Sequence, residues 1–165
     1  MLSPSLQKPH AIIWSRDPAL AVPDDPEQRA DESNEDFAKR KAEVWSEWDR
    51  KVGIARETGD WSELIRPGAT PTMFYVKPMG VAFRKIADGI LTGRIGDVEL
   101  PAYSLRACLT EVENLGGFEL KKVDEPRIGK IADEEIIAIL DGIDPKIVGE
   151  LGAYCWKRAE KPSPK

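Results

Sequence analysis

A helical repeat of apolar side chains between residues 33 and 58 constrains the fold more than any other feature of the sequence. Ser33 can cap this helix, and Glu35 and Asp36 would face the positive end of its dipole. Thr58-Gly59-Asp60 provides the stop. The apolar positions recur every three or four residues, at Phe37, Val44, Trp45, Trp48, Val52 and Ala55, with the methylenes of Lys41 among them. About 25 residues predict a helix of about 37 Å, so we expect part of it to project or to pack on a partner.

The segment before that helix is acidic and rich in proline. Residues 17–36 hold three prolines and eight acids against a single arginine. Proline prevents a continuous helix there, and the like charges oppose collapse. We therefore expect an extended acidic arm over residues 1–32, one mainly helical domain over 33–160 and a disordered tail over 161–165. A surface loop that is simply solvated is the alternative interpretation of the acidic stretch.

A strand followed by a helix is predicted in the middle of the chain. Residues 71–78 alternate between two faces and are bounded by proline, which is typical of a strand. Met73 and Tyr75 share one face of it, and Phe74 lies on the other. Helical spacing follows over residues 79–92, with an apolar face made of Met79, Phe83, Ile86, Ala87 and Ile90.

The remaining elements are shorter or less regular. They are a strand-like patch at 10–14, one helical turn at 61–65, a helix from about 101 to 114, a strand at 118–123 that could pair with 72–77, a short helix from 133 to 140, and a last helix that starts at Asp144-Pro145. The predicted fold class is therefore mainly α with a small two-stranded β element (α+β), as a single compact helical domain with an N-terminal arm.

Charge and hydropathy exclude several classes of function. The sequence has 24 Lys and Arg and 29 Asp and Glu. The resulting net charge of −5 argues against non-specific binding to nucleic acid or to an anionic membrane. No stretch approaches the ~20 apolar residues of a membrane helix, and the run at 11–14 is too short for a signal core. We expect a cytoplasmic protein in which Cys108 and Cys155 are buried thiols.

Few residues are available for catalysis. The chain has one histidine and two cysteines, so a Ser-His-Asp or Cys-His site would have to use His10. The nucleotide-binding, metalloprotease and hydrolase motifs are absent, and the glycines around Arg94 lack the strand and capped helix of a phosphate loop. We expect no catalytic, cofactor-binding or metal-binding residues. A small enzyme with sites shared between protomers is the remaining enzymatic alternative.

The tryptophans of the long helix are candidates for binding. Trp45 and Trp48 are three positions apart and share a face near Val52. One interpretation is a core stripe, and the other is an interface anchor, because tryptophan is enriched at binding hot spots. Acids interleave with the basic residues of this helix, so nucleic acid is not an expected partner. The candidate partner-binding residues are Trp45, Trp48, Val52, Met73, Tyr75 and Phe83.

Residues 70–159 resemble small tail-assembly chaperones of tailed bacteriophages. The stretch TPTMFYVKPMGVAFRKIADG has the F-x-V-x-P strand and following helix of such proteins, and SLRACLTEVENLGG and KIADEEIIAILDGIDPKIVGELGAYCWKRAE are similar to their later helices. The resemblance implies a non-catalytic protein of virion or tail assembly that binds tape-measure or tail-tube proteins in the bacterial host cell. The arm and the long helix lie outside that pattern.

Two further points stay open at this stage. A phage-encoded inhibitor of a host enzyme or defence complex is the alternative function, with the acidic arm as a mimic of nucleic acid. The sequence also leaves open a homo-oligomer and a place in the virion itself.

Overall fold

The computed structural model describes residues 10–96, 98–114, 138 and 140–160. Residues 15–71 form one compact unit, here the long-helix unit, and the residues on either side of them form a second, the sheet unit. Helices predominate beside a small antiparallel sheet, which confirms the predicted α+β class. The elements are β1 (His10–Ile12), α1 (Asn34–Thr58), β2 (Met73–Val76), α2 (Val81–Leu91), α3 (Leu100–Cys108), β3 (Leu109–Glu113) and α4 (Pro145–Glu160).

Helix α1 begins and ends where the sequence predicts. The Ser33 hydroxyl accepts a hydrogen bond of 3.1 Å from the backbone N–H of Asp36. At the other end Gly59 adopts a φ of 74°, which a side chain would disfavour, and its N–H donates to the Ala55 carbonyl. The buried residues of α1 are Trp48, Val52 and Ala55, the C-terminal half of the predicted apolar face.

The rest of the long-helix unit completes a small core. Leu20 pairs with Ile65 in an isolated antiparallel bridge, and Leu20 itself is fully buried. Trp61 and Leu64 are buried as well, and the N–H of Leu64 donates to the Trp61 carbonyl in a single turn. The indole of Trp48 donates to the Ser15 carbonyl over 2.9 Å, so its one polar atom is satisfied inside the unit.

The described residues of the sheet unit form three strands, whereas the prediction had two. Their order is β1-β2-β3, and both pairings are antiparallel, with Ala11 opposite Tyr75 and Phe74 opposite Val112. The patch at 10–14 therefore supplies an edge strand. The predicted strand at 118–123 lies outside the described residues, as do the predicted tail at 161–165 and most of the predicted helix at 133–140.

The predicted helix over 101–114 is wrong beyond Cys108. Helix α3 ends there, and the chain continues at once as strand β3. Helical spacing of the apolar residues misled the prediction, because Leu109 and Val112 suit a strand that is buried on both faces equally well. Thr110 is the extra residue where the register with β2 shifts, and its hydroxyl donates to the Tyr75 carbonyl over 3.1 Å.

Helix α4 closes the core of the sheet unit. Asp144 caps it, with Oδ1 accepting from the N–H of Lys146 at 2.9 Å. Gly152 of α4 lies so close to α3 that a Cβ there would fall 1.9 Å from the Pro101 carbonyl oxygen. The buried cluster here is drawn from the sheet, from both helices and from the segment before α4, namely Ile12, Phe74, Val76, Leu105, Cys108, Leu109, Val112, Leu140, Leu151 and Cys155. Both cysteines are thus buried, as predicted.

Candidate functional site

Exposed apolar side chains concentrate on α2 and the loop that follows it. Of the six large apolar residues exposed among the described residues, five lie between positions 81 and 98. We call these five the α2 apolar surface: Val81 (76% exposed), Leu91 (59%), Val98 (44%), Ile86 (39%) and Ile95 (38%). The sixth is Ile54 on α1. Ile86, Ile95 and Val98 line the same groove, whereas Val81 and Leu91 are five positions from Ile86 and lie on other sides of α2. Isolated exposed apolar residues are ordinary, but several along one segment are typical of a binding surface.

The surface arises because α2 is apolar on more than one side. Phe83 and Ala87 are buried and pack with Tyr103 and Ala107 of α3. That contact buries one face of α2, and Ile86 is not part of that face. The predicted helical spacing includes Ile86 with Phe83 and Ala87, and the 39% exposure of Ile86 shows that the buried face of α2 is narrower than the set of apolar positions.

The loop after α2 folds back onto the helix. Gly93 turns the chain with a φ of 74°, and the N–H of Ile95 then donates to the Gly89 carbonyl over 3.0 Å. A Cβ on Gly89 would lie 3.0 Å from Cδ1 of Ile95, so the glycine leaves room for this side chain. The fold-back brings Ile95 beside α2 and extends the apolar surface beyond the helix.

A groove of about 370 Å³ opens beside this surface. Its volume lies within the usual range of small-ligand pockets. Most of its walls are aliphatic, and they come from α2, the loop and α3. The lining residues are Ile86, Ile90, Ile95, Val98, Glu99, Ala102, Tyr103 and Arg106.

Two polar atoms of the groove residues lack hydrogen-bond partners among the described residues. They are the hydroxyl of Tyr103 and Nε of Arg106, and both atoms are buried. Tyr103 as a whole is only 5% exposed. A buried hydroxyl without a partner costs about 1–3 kcal/mol, so such groups are rare in native structures. Nothing in the sequence pattern marked these residues, because a tyrosine and an arginine on a short helix are unremarkable.

The Tyr103 phenol and the Arg106 guanidinium can both donate hydrogen bonds. Burial raises the pKa of the Tyr103 phenol above its ordinary value, so the hydroxyl keeps its proton at neutral pH. The Nη2 atom of Arg106 is bound to the carboxylate of Asp141, which anchors the far end of the guanidinium. Nε of the same group is buried and has no hydrogen-bond partner among the described residues.

Three of the six candidate residues from the sequence are core side chains. Trp48 and Val52 are buried in the long-helix unit. Phe83 of α2 is buried against α3 in the sheet unit. In these positions they offer almost no surface to a partner. Their physical role is the packing of their own units, which is the core-stripe interpretation of the apolar spacing.

Met73 and Tyr75 are half-buried on one face of β2. The Tyr75 hydroxyl donates to Oε2 of Glu113 on the neighbouring strand over 3.0 Å. Burial and this contact with a carboxylate both raise the pKa of Tyr75. The pair is a cross-strand contact of the sheet, and the structure does not bring it together with the α2 apolar surface.

Trp45 is half-buried under the acidic arm. The guanidinium of Arg16 lies 4.2 Å from the centre of its ring, in a cation–π contact. The indole N–H donates to Asp25, whose carboxylate also receives Lys41 at 3.1 Å. The hydrogen bond from Trp45 and then that from Lys41 hold the pKa of Asp25 below its ordinary value.

A second set of contacts ties the arm to the start of α1. Arg40 donates to both carboxylate oxygens of Glu32 at 2.8 Å and to the Glu27 carbonyl at 2.7 Å. The hydrogen bond from Arg40, together with one from the backbone of Arg29, lowers the pKa of Glu32 to about 2. The arm therefore has irregular backbone but specific partners on α1.

The part of the chain that the structure describes holds no group of three or more His, Cys, Asp or Glu side chains that could bind a metal ion. No described helix combines the length and the apolar character needed to cross a membrane. Comparison with protein-family models, with curated proteins and with solved structures finds no match to this chain.

Proposed function

We propose that the chain acts as a non-catalytic binding protein and that a protein partner docks on the α2 apolar surface. The observation that carries the proposal is the concentration of five of the six exposed large apolar side chains between residues 81 and 98. Burying such a cluster against a partner removes apolar area from water, which is the main driving force of association. A cluster of this kind without a partner is a liability for aggregation.

The charges around the surface indicate the chemistry of the partner. Among the described residues, the exposed charged side chains next to this surface include the cations Arg84, Lys85 and Arg94 and the acids Asp88 and Glu99. Charges of both signs therefore border the surface. A partner segment with an apolar face and a rim of mixed charge would complement it, and an amphipathic helix provides both.

The proposal includes a role in virion or tail assembly of a tailed phage, with tape-measure or tail-tube proteins as partners. What supports this part is the sequence resemblance to tail-assembly chaperones over residues 70–159. That stretch includes the whole α2 apolar surface and the groove beside it. Binding in the host cell during assembly would shield apolar surface of the partner until the virion is built.

The alternative function, an inhibitor whose acidic arm mimics nucleic acid, is not favoured by any observation. Asp25 and Glu32 of the arm bind Lys41, Trp45 and Arg40 of α1. Their charge is therefore compensated within the chain, which leaves less of it for a basic target.

Co-expression with the tape-measure and tail-tube proteins of the same phage, followed by a pull-down, tests the proposal. We expect the wild-type chain to recover one of them. The double variant Val81→Glu with Leu91→Lys should lose most of the bound partner. The new glutamate lies at the N-terminus of α2 and the new lysine at its C-terminus. Both charges interact favourably with the helix dipole, so the variant should keep the helix.

Ile54→Lys is the matched control, because it removes an exposed apolar side chain from α1 instead. It should bind as well as the wild type. Failure to recover either protein when all are soluble would contradict the assembly role. Equal loss of binding in the control and in the double variant would contradict docking on α2.

A further inference from the structure

The groove beside α2 combines aliphatic walls with two unsatisfied hydrogen-bond donors. Ile86, Ile90, Ile95 and Val98 supply apolar wall, and Tyr103 and Arg106 of α3 also line the groove. Positions 103 and 106 are three residues apart on one helix, so their side chains share a face. Of the described groove residues, Tyr103 and Arg106 each have a buried donor atom without a partner, the Tyr103 hydroxyl and Arg106 Nε.

The missing group must be a hydrogen-bond acceptor. Nε of arginine can only donate, and a protonated tyrosine hydroxyl donates readily. A carboxylate accepts through two oxygens and donates nothing, so one such group could satisfy both atoms. The aliphatic walls would hold the apolar remainder of the same ligand.

We infer that the groove is a binding site for a small aliphatic carboxylate, with its chain against the isoleucines and its carboxylate at Tyr103 and Arg106. The two donor atoms lie beneath the groove wall, so the Arg106 side chain, which is 29% exposed, must turn to admit the ligand. Asp141 holds the far end of that guanidinium and compensates part of its charge. The proposed protein-docking surface shares Ile86, Ile95 and Val98 with the groove, whereas Val81 and Leu91 lie outside the groove lining.

Glu99 is the one acid among the described residues of the groove lining. It is exposed, and its side chain makes no capping hydrogen bond to α3. Its charge opposes the entry of an anion. The Glu99→Gln variant removes that charge without changing the shape of the groove, so it should bind a carboxylate more tightly.

Calorimetric titration of the full chain with octanoate tests the site, with 1-octanol as the neutral probe of equal chain length. We expect saturable one-to-one binding of octanoate and at least about tenfold weaker binding of 1-octanol. Tyr103→Phe should weaken octanoate by about tenfold, and Glu99→Gln should strengthen it. Tyr75→Phe, which removes a hydroxyl bound to Glu113, should leave octanoate affinity unchanged.

The same variants show whether the hydroxyl has a structural role instead. Because Tyr103 lacks a partner, Tyr103→Phe should leave the unfolding temperature of the free protein unchanged or raise it. A fall of more than about 2 °C would reveal a structural hydrogen bond and overturn the inference. No binding of octanoate, equal binding of the two probes, or unchanged octanoate affinity in Tyr103→Phe or Glu99→Gln would overturn it as well.

Discussion

Trp45 and Asp25, which are 20 positions apart, are joined by a hydrogen bond of 3.2 Å from the indole N–H to the carboxylate. Arg16 covers the same indole ring, and Lys41 binds the same carboxylate. The long helix therefore carries, on one patch, the contacts that position the acidic arm. Exposed ion pairs are individually weak, and they matter here because several act on one segment.

Neutralising Asp25 should loosen the arm. The Asp25→Asn variant loses the charge that attracts Lys41 and weakens the acceptor of the Trp45 indole. We expect faster proteolysis within residues 17–32, because cleavage of a native chain follows local opening. Limited digestion followed by mass spectrometry of the fragments measures the rate.

Asp24→Asn is the matched control for this experiment. Asp24 is the neighbouring acid, it is exposed, and no hydrogen bond or ion pair of its side chain is found among the described residues. Its variant has the same net charge as Asp25→Asn and should be cleaved at the wild-type rate. Equal acceleration in both variants would mean that overall charge, rather than the contact with Trp45, holds the arm.

The contact between Glu32 and Arg40 should make stability depend on pH. The pKa of Glu32 falls from an ordinary 4.5 to about 2 in the folded chain. A lowered pKa means that the folded state favours the charged form, so the stabilisation is complete above about 4.5 and is lost as the pH falls towards 2. Urea unfolding at a series of pH values should show Glu32→Gln less stable than the wild type at pH 6, with the two curves converging near pH 2.

Glu43→Gln serves as the control for Glu32. Glu43 is exposed in the middle of α1, and its side chain has no hydrogen bond or ion pair among the described residues. The difference in stability between this variant and the wild type should stay small and nearly constant over the same pH range. If Glu32→Gln is still less stable than the wild type at pH 2, the loss of stability does not come from the charge of Glu32.

Helix α1 could be predicted in full because its signals are local. The cap at Ser33, the left-handed Gly59 and the apolar spacing between them all lie within or next to the helix. Each agrees with the others, so no distant contact is needed to locate the ends. Strand β1 was also visible as an apolar patch, although its partner on β2 was not.

The boundary between α3 and β3 could not be predicted in the same way. Leu109 and Val112 fit a helical repeat with Leu105 as well as they fit a strand. The choice depends on pairing with β2, where Phe74 lies opposite Val112, and that contact spans a long stretch of sequence. A local sequence pattern does not reveal secondary structure that depends on pairing with a distant strand.

The candidate site was only partly predictable for a related reason. The sequence identified α2 as an apolar helix and placed binding in the strand–helix unit at 73–86. It could not show that Phe83 is buried while Ile86 remains exposed, because both fit one broad apolar face. It also could not show that the Tyr103 hydroxyl lacks a hydrogen-bond partner among the described residues, because that depends on which residues pack around it.

Gly152 should be intolerant of any side chain. A Cβ at this position would lie 1.9 Å from the Pro101 carbonyl oxygen, which is backbone and cannot rotate away, so α3 and α4 would have to separate. We expect Gly152→Ala to lower the free energy of unfolding by about 1–3 kcal/mol in urea denaturation. Gly149→Ala, on the same helix, meets nothing within 4 Å and should be neutral or stabilising by up to about 1 kcal/mol, since alanine favours helix. Similar effects at both positions would contradict the close approach of the two helices, because helix propensity alone predicts that both substitutions stabilise α4.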